Sequence, residues 1–358
     1  MKNSALNELI KMSRYAGERF DLVQAGGGNT SVKYNDDKMY IKASGFLLSE
    51  LSHNKGYCTV SMDKVIAILN DPEVIEIGDK RKKDSIASQK LNDAIFEGTD
   101  RPSIETYLHS LLYKYTLHVH AIAVNVFTSA KNWRERLLEL DSEALLIPYE
   151  TPGIELALLL KKELENYVVD NGSLPKVIFL QNHGLIISSD SYNEIEELTE
   201  KIVCKAEKIL GLDFSKYRNA NSISKWYNKA FDSSNMTYLS EDKMVSELLQ
   251  LINGELLRRP FSPDGFVFCG YTLLHLKELK TESFLNYKEK YFEEPKLIIY
   301  NDHLYIVAAD LKKAKMIEDV FKNNLLIASS LESELNFLEE EEVLFLGNWE
   351  AEKYRKEL

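Results

Sequence analysis

Leu117-His118-Val119-His120 is the stretch on which the reading of this chain turns. In an extended strand alternate side chains share a face, so His118 and His120 can offer both rings to one ion while Val119 packs behind them. His183, in Gln181-Asn182-His183-Gly184, adds a third imidazole from a distant strand–turn–strand, and Glu105, in Pro102-Ser103-Ile104-Glu105, adds a carboxylate one helix upstream. Three protein ligands with an open position for water or a substrate oxygen is the pattern of catalytic zinc. A lone His-x-His pair is a weak signal, because buried histidines that only hydrogen-bond are common. The strand context, the third histidine and the upstream carboxylate together make it an expected metal site, for Zn2+ or another divalent metal.

Outward from this motif, apolar and polar spacing predicts a helix over 4–22, then a hairpin of Thr30–Tyr34 and Lys38–Lys42 across Asn35-Asp36-Asp37. A serine-capped helix is expected over Ser103–Tyr115, a buried strand over Leu117–Phe127 and a helix over Ile154–Asn166. Strands Val177–Leu180 and Leu185–Ser188 flank His183, and a long helix is expected over Ser191–Leu210. Strands and helices alternate, so the class is α/β or α+β. Between Asp213 and Ser240 periodicity fades among asparagines and serines, which places a domain boundary near 235. Beyond it we expect a helix over Glu241–Arg258, a strand over Gly265–Cys269, a hairpin of Lys296–Tyr300 and Leu304–Ala308 across Asn301-Asp302-His303, and closing helices that include the acidic run Glu339–Glu342.

With 358 residues the chain exceeds one ordinary core, and two domains of about 1–235 and 236–358 are expected. A net charge of −12, with no basic stripe carrying interleaved aromatics, argues against nucleic acid as a partner. No run approaches the roughly 18 apolar residues that span a membrane. Three widely spaced cysteines and a polar amino-terminal helix point to a reducing cytoplasm.

Several residues carry two readings. Glu105 at a helix start is either a charge favoured by the helix dipole or, if the helix packs beside the metal strand, a base within reach of a reacting carbon. His109 shares its helical face and is read as packing. Gly26-Gly27-Gly28 precedes a hairpin, not a helix, so it is no dinucleotide fingerprint. It forms either a nest of amides for an anion, with Ser44, Gly45 and Ser103, or a tight turn needing positive φ.

Taken together, Gly27-Gly28-Asn29-Thr30-Ser31, Lys42-Ala43-Ser44-Gly45, Pro102–Glu105, His118–His120, Pro148–Gly153 and Asn182–Ile186 resemble the class II aldolase/adducin family in order and number. The resemblance covers roughly 1–215 and is nearest to the aldolase portion of bifunctional rhamnulose-1-phosphate aldolase/alcohol dehydrogenase proteins, whose following region resembles Arg259–Asp264, Pro295–Tyr300 and 342–358 more loosely. No glycine-rich nucleotide loop follows residue 240, so no redox activity is expected. The resemblance implies a three-layer α/β/α domain with a second, smaller α+β domain, and a homo-oligomer, commonly a tetramer with sites between subunits. It implies zinc on His118, His120 and His183, Glu105 as acid/base, and a substrate phosphate on Asn29, Ser44, Gly45 and Ser103. Ile104 departs from the fuculose-1-phosphate aldolase pattern, which has a second serine there, and the tyrosine proton donor of those enzymes has no counterpart in 129–147.

The implied reaction is reversible retro-aldol cleavage of a ketose phosphate through an enediolate. Dehydration, decarboxylation or epimerisation of a related sugar phosphate uses the same site, although the epimerases typically have aspartate at position 105. A reading from another class is an adducin-like scaffold without catalysis. It differs by a simple observation, the failure of the chain to take up metal.

Overall fold

Residues of opposite parity along the central strands bury into opposite helical layers, and this alternation organises the first 214 residues. The computed structural model describes residues 2–98, 100–251, 257–331 and 334–348. Eight strands, β1 (Asn29–Lys33), β2 (Lys38–Lys42), β3 (Tyr57–Ser61), β4 (Ile95–Glu97), β5 (Tyr115–Val119), β6 (Leu145–Ile147), β7 (Val177–Leu180) and β8 (Gly184–Ser189), form one sheet in the order β4-β3-β2-β1-β5-β8-β7-β6. Only β6 and β7 run parallel. Val32, Tyr40, Leu117, Val119, Phe179 and Ile187 face helices Lys2–Gly17, Ile122–Thr128 and Tyr192–Leu210. Met39, Ile41, Val60, Ile178 and Ile186 face helices Met62–Ile68, Lys80–Asp93 and Ile154–Asn171. The result is the expected α/β/α sandwich, in which both sheet faces are apolar because both are covered.

Three local expectations change. The first helix ends at Gly17, not residue 22, because the chain crosses Leu48-Ser49 so closely that a Cβ on Gly17 would stand 2.2 Å from the Ser49 amide nitrogen. The apolar run Leu117–Phe127 is not one strand. It leaves the sheet after Val119 and becomes helix Ile122–Thr128, burying Val124 and Phe127 one helical turn apart. Apart from His118, His120 and Asn125 the run is apolar throughout, which leaves too little period to separate the two. The helix expected over Ser103–Tyr115 is confined to Thr106–Ser110, since Tyr115 is needed in the sheet, paired with Val32 and Ser189.

The second unit, 215–358, begins at residue 215 and not near 235. The polar-looking stretch is helix Ser215–Phe231, amphipathic after all, burying Tyr217, Ala220, Ile223 and Tyr227. Strands β9 (Met236–Leu239), β10 (Leu274–Leu276), β11 (Leu297–Tyr300) and β12 (His303–Ala308) form a sheet in the order β10-β11-β12-β9. The β11–β12 hairpin turns on Asn301 and Asp302, both with positive φ (48° and 62°), which suits the twist of a two-residue hairpin. Helix Leu311–Leu331 packs on this sheet through Ala314, Ile317, Phe321 and Leu325. Gly265–Cys269, expected as a strand, is a short π-helical turn, and Phe266, Val267 and Cys269 are all buried, so no alternation marks it. The helix expected over Glu241–Arg258 is seen as Lys243–Leu251, and residues 252–256 lie outside the described residues, as do 349–358 of the closing segment. Among the described residues no helix is long and apolar enough to cross a membrane.

Candidate active site

β5 delivers the site's first two side chains. Leu117 and Val119 go into one core, which turns His118 to the other face of the sheet, and His120 follows just past the strand end. Their ring centroids are 5.1 Å apart. His183 arrives from the turn between β7 and β8, where Asn182 takes a left-handed φ of 55°, and its ring lies 4.8 Å from that of His118 and 5.2 Å from that of His120. Two glycines make room. A Cβ on Gly27 would stand 2.8 Å from His120 Nδ1, and one on Gly184 would stand 3.1 Å from His118 Nε2 and 2.5 Å from the Val119 carbonyl oxygen. The glycine-rich loop is therefore partly a wall of the histidine cluster. Its positive φ falls on Gly28, at 72°, as the tight-turn reading requires.

Glu105 reaches the cluster from the turn before helix Thr106–Ser110, its amide donating to Ser103 Oγ at 3.3 Å. Its Oε1 lies 3.1 Å from His118 Nδ1 and 3.5 Å from His183 Nε2. Burial alone would raise the carboxyl pKa, but the imidazoles of His118 and His183 outweigh it and hold the group well below the usual carboxylate range. His120 moves down to about 3, through burial first and then the neighbouring His118 and His183 rings, so its ring is neutral with a free lone pair at ordinary pH.

The cluster fits a metal ion on two counts. Both ring nitrogens of His118, and Nε2 of His120, are buried without a hydrogen-bond partner, although an unmet buried nitrogen is costly. The 3.1 Å approach of Glu105 to His118 is out of line for a hydrogen bond. One ligand atom from each of His118, His120 and His183 lies within 4.8 Å of the others, so rings drawing in by about 1 Å would meet an ion with the 2.0–2.1 Å bonds of zinc to nitrogen.

Residues expected to hold an anion are gathered around the same carboxylate. Asn29 pairs with His118 across β1 and β5, and while its Oδ1 accepts from Thr30 N at 2.8 Å, its Nδ2 is buried and unpartnered. Ala43 bridges to Pro102, and Ser44 N donates to the Arg101 carbonyl at 2.8 Å, which sets the Ser44-Gly45 turn beside Ser103. Ser44 and Gly45 are exposed, Gly45 has a φ of 87°, and a Cβ there would meet nothing within 4 Å. Ile104, where the departure from the family pattern falls, is 44% exposed.

Residues 7–207, which hold all of these motifs, match the model of the class II aldolase and adducin N-terminal domain. The chain belongs to the class II aldolase/adducin family. The matching region falls within the first unit. Among solved structures, the N-terminal class II aldolase domain of a conserved protein from Thermoplasma acidophilum is 27% identical, with 57% of this chain and 93% of that one covered and a TM-score of 0.48. A sugar-phosphate aldolase from Thermotoga maritima is 14% identical (59% and 96% covered, TM-score 0.40), and an L-fuculose-1-phosphate aldolase from Thermus thermophilus is 13% identical (59% and 95%, TM-score 0.38). No curated protein sequence matches the chain.

Lys42 stands in one of the motifs, although no role was expected of it. It is 4% exposed, makes no ion pair among the described residues, and its Nζ contacts only the Ala43 carbonyl, at 3.4 Å. Burial lowers its pKa, while Glu105 and then Glu50 pull the other way. A lysine in the last position of an otherwise buried strand was the available signal. His109, by contrast, is settled in the core, with Nδ1 2.7 Å from Ser31 Oγ.

Proposed function

We propose that this member of the class II aldolase family is a zinc-dependent lyase that cleaves a ketose phosphate by a retro-aldol reaction. The observation that carries this is the set of three converging imidazoles, with unpartnered buried nitrogens, around an ionised Glu105. His118, His120 and His183 would hold the ion, which when bound supplies a Lewis acid that stabilises negative charge developing on a substrate carbonyl oxygen. Glu105 takes and returns the proton on the carbon beside that carbonyl. A carboxylate with a depressed pKa is a weak base, so its usefulness rests on being fixed within reach of an acidified C–H. Asn29 Nδ2, buried without a partner, and the Lys42 ammonium, buried without an ion pair among the described residues, suit with the open Ser44-Gly45 turn and Ser103 a phosphate that orients the fragment and binds it remotely from the reacting carbon.

The test is deuterium exchange. Incubated in D2O with zinc and dihydroxyacetone phosphate, the protein is expected to exchange one carbon-bound hydrogen, and Glu105→Gln to slow this by roughly 10²–10⁴-fold. Ketose 1-phosphates are expected to release the same triose phosphate. Zinc binding without exchange, accompanied by loss of water or carbon dioxide from a sugar-phosphate substrate, would move the assignment to the dehydratase or decarboxylase reactions. A chain that takes up no zinc would leave the scaffold reading.

A further inference from the structure

We propose that Asn125 is a positioning residue for the metal centre, holding the turn that carries His183 against the segment that carries His118 and His120. The inference rests on the reading of the three histidines as metal ligands. His118 and His120 belong to one strand end, so their spacing is set by the backbone they share. His183 is 63 residues further on, the difference between 183 and 120, and needs a separate tie. Helix Ile122–Thr128 begins two residues after His120 and supplies that tie at two points. Asn125 Nδ2 donates to the His183 carbonyl at 3.2 Å, and the Thr128 carbonyl accepts from Asn182 N at 3.1 Å. The second contact grips the one residue of the turn with positive φ, which alone would cost conformational freedom to hold.

The Asn125 side chain is itself oriented. Thr128 Oγ1 donates to the Asn125 carbonyl at 3.3 Å and approaches Asn125 Oδ1 at 3.5 Å, favouring the amide face that points Nδ2 at His183. Thr128 is fully buried and Asn125 half-buried, so the link lies along the inner side of the helix, away from exposed Val126. Removing the Nδ2 donor frees the His183 carbonyl and lets the third imidazole swing relative to the other two. Supporting groups of this kind typically change metal affinity by about 10–100-fold.

The experiment measures zinc affinity by chelator competition on metal-free full-length protein, with the melting temperature of the same metal-free samples. Asn125→Ala and Asn125→Asp, the second keeping shape but not the donor, are expected to weaken zinc about 10–100-fold. Their metal-free melting temperatures should move by no more than about 4 °C, the worth of one hydrogen bond in a unit of this size. Val126→Ala should change neither. Wild-type zinc affinity in both Asn125 variants overturns the positioning role while leaving the metal reading standing. So does an affinity loss matched by collapse of the metal-free protein, which would make Asn125 merely structural. A wild-type protein that takes up no zinc overturns the metal reading itself, and this inference with it.

Discussion

Two clusters of buried polar side chains sit in the first unit and differ in one respect. Around Arg19 every charge is answered. Its Nε donates to Asp21 Oδ1 at 3.1 Å, Nη2 to Asp21 Oδ2 at 2.6 Å and Nη1 to Glu200, while Tyr15 OH donates to Glu200 at 2.5 Å. Arg19 is 1% exposed, and the Asp21 carbonyl accepts from Ile122 N at 2.9 Å at the start of the helix that follows His120. Around Glu105 the opposite holds, with three imidazoles crowded together and both ring nitrogens of His118 and Nε2 of His120 unanswered. Closure of donors on acceptors is how a fold stabilises itself, and a set left open at a cost of about 1–3 kcal/mol for each unmet group is how it keeps a place for something else. The first cluster fastens helix Lys2–Gly17 to helix Tyr192–Leu210, and the second is poised for an ion.

The difference can be broken from either side. The largest expected effect is on the closed cluster: Arg19→Met leaves Asp21 buried, and Glu200 partly exposed, without that cation and should cost roughly 3 kcal/mol, read as a lowered urea midpoint that zinc-free and zinc-loaded samples share. An unchanged midpoint would show that the network is dispensable. Next in size, His183→Ala should leave the metal-free midpoint nearly unchanged and abolish the stabilisation zinc gives the wild type, about 2.7 kcal/mol when free zinc is 100 times its dissociation constant. If His183→Ala instead destabilises the metal-free protein by several kcal/mol, the open cluster is structural. The smallest effect belongs to His109, which has one partnered nitrogen and one orphan but stands outside the set of three. In His109→Leu the lost hydrogen bond and the relieved orphan nearly cancel, so stability should change by under about 1 kcal/mol and zinc stoichiometry not at all. Lost zinc in this variant would extend the metal site beyond the three histidines.

Legibility in the sequence followed the range of the interactions. The period-two pair His118 and His120 could be read because apolar Leu117 and Val119 stand beside them, and the α/β class followed from the alternation of strands and helices along the chain. The mostly apolar run Leu117–Phe127, strand only as far as Val119, and the apolar Gly265–Cys269 showed too little period to reveal the helix that ends the first and the helical turn of the second. The helix Ser215–Phe231 was missed because its buried positions are tyrosine, alanine and serine as much as aliphatic. Contacts across long separations left no local trace. Glu200 lies 181 residues from Arg19, and nothing near Asn125 announces that the His183 carbonyl will be 3.2 Å away. Glu105 could be read only as a candidate carboxylate upstream, and the role of Asn29 only through motif resemblance, since their meeting with His118 depends on the turn before Thr106 and on the β1–β5 register.

Equilibrium dialysis of metal-free protein against zinc, with His118→Ala in parallel, tests the central claim most directly. The account predicts one tightly held zinc per wild-type chain, with none in the variant and both proteins folded. No zinc uptake by the wild type, or undiminished uptake by His118→Ala, would contradict it.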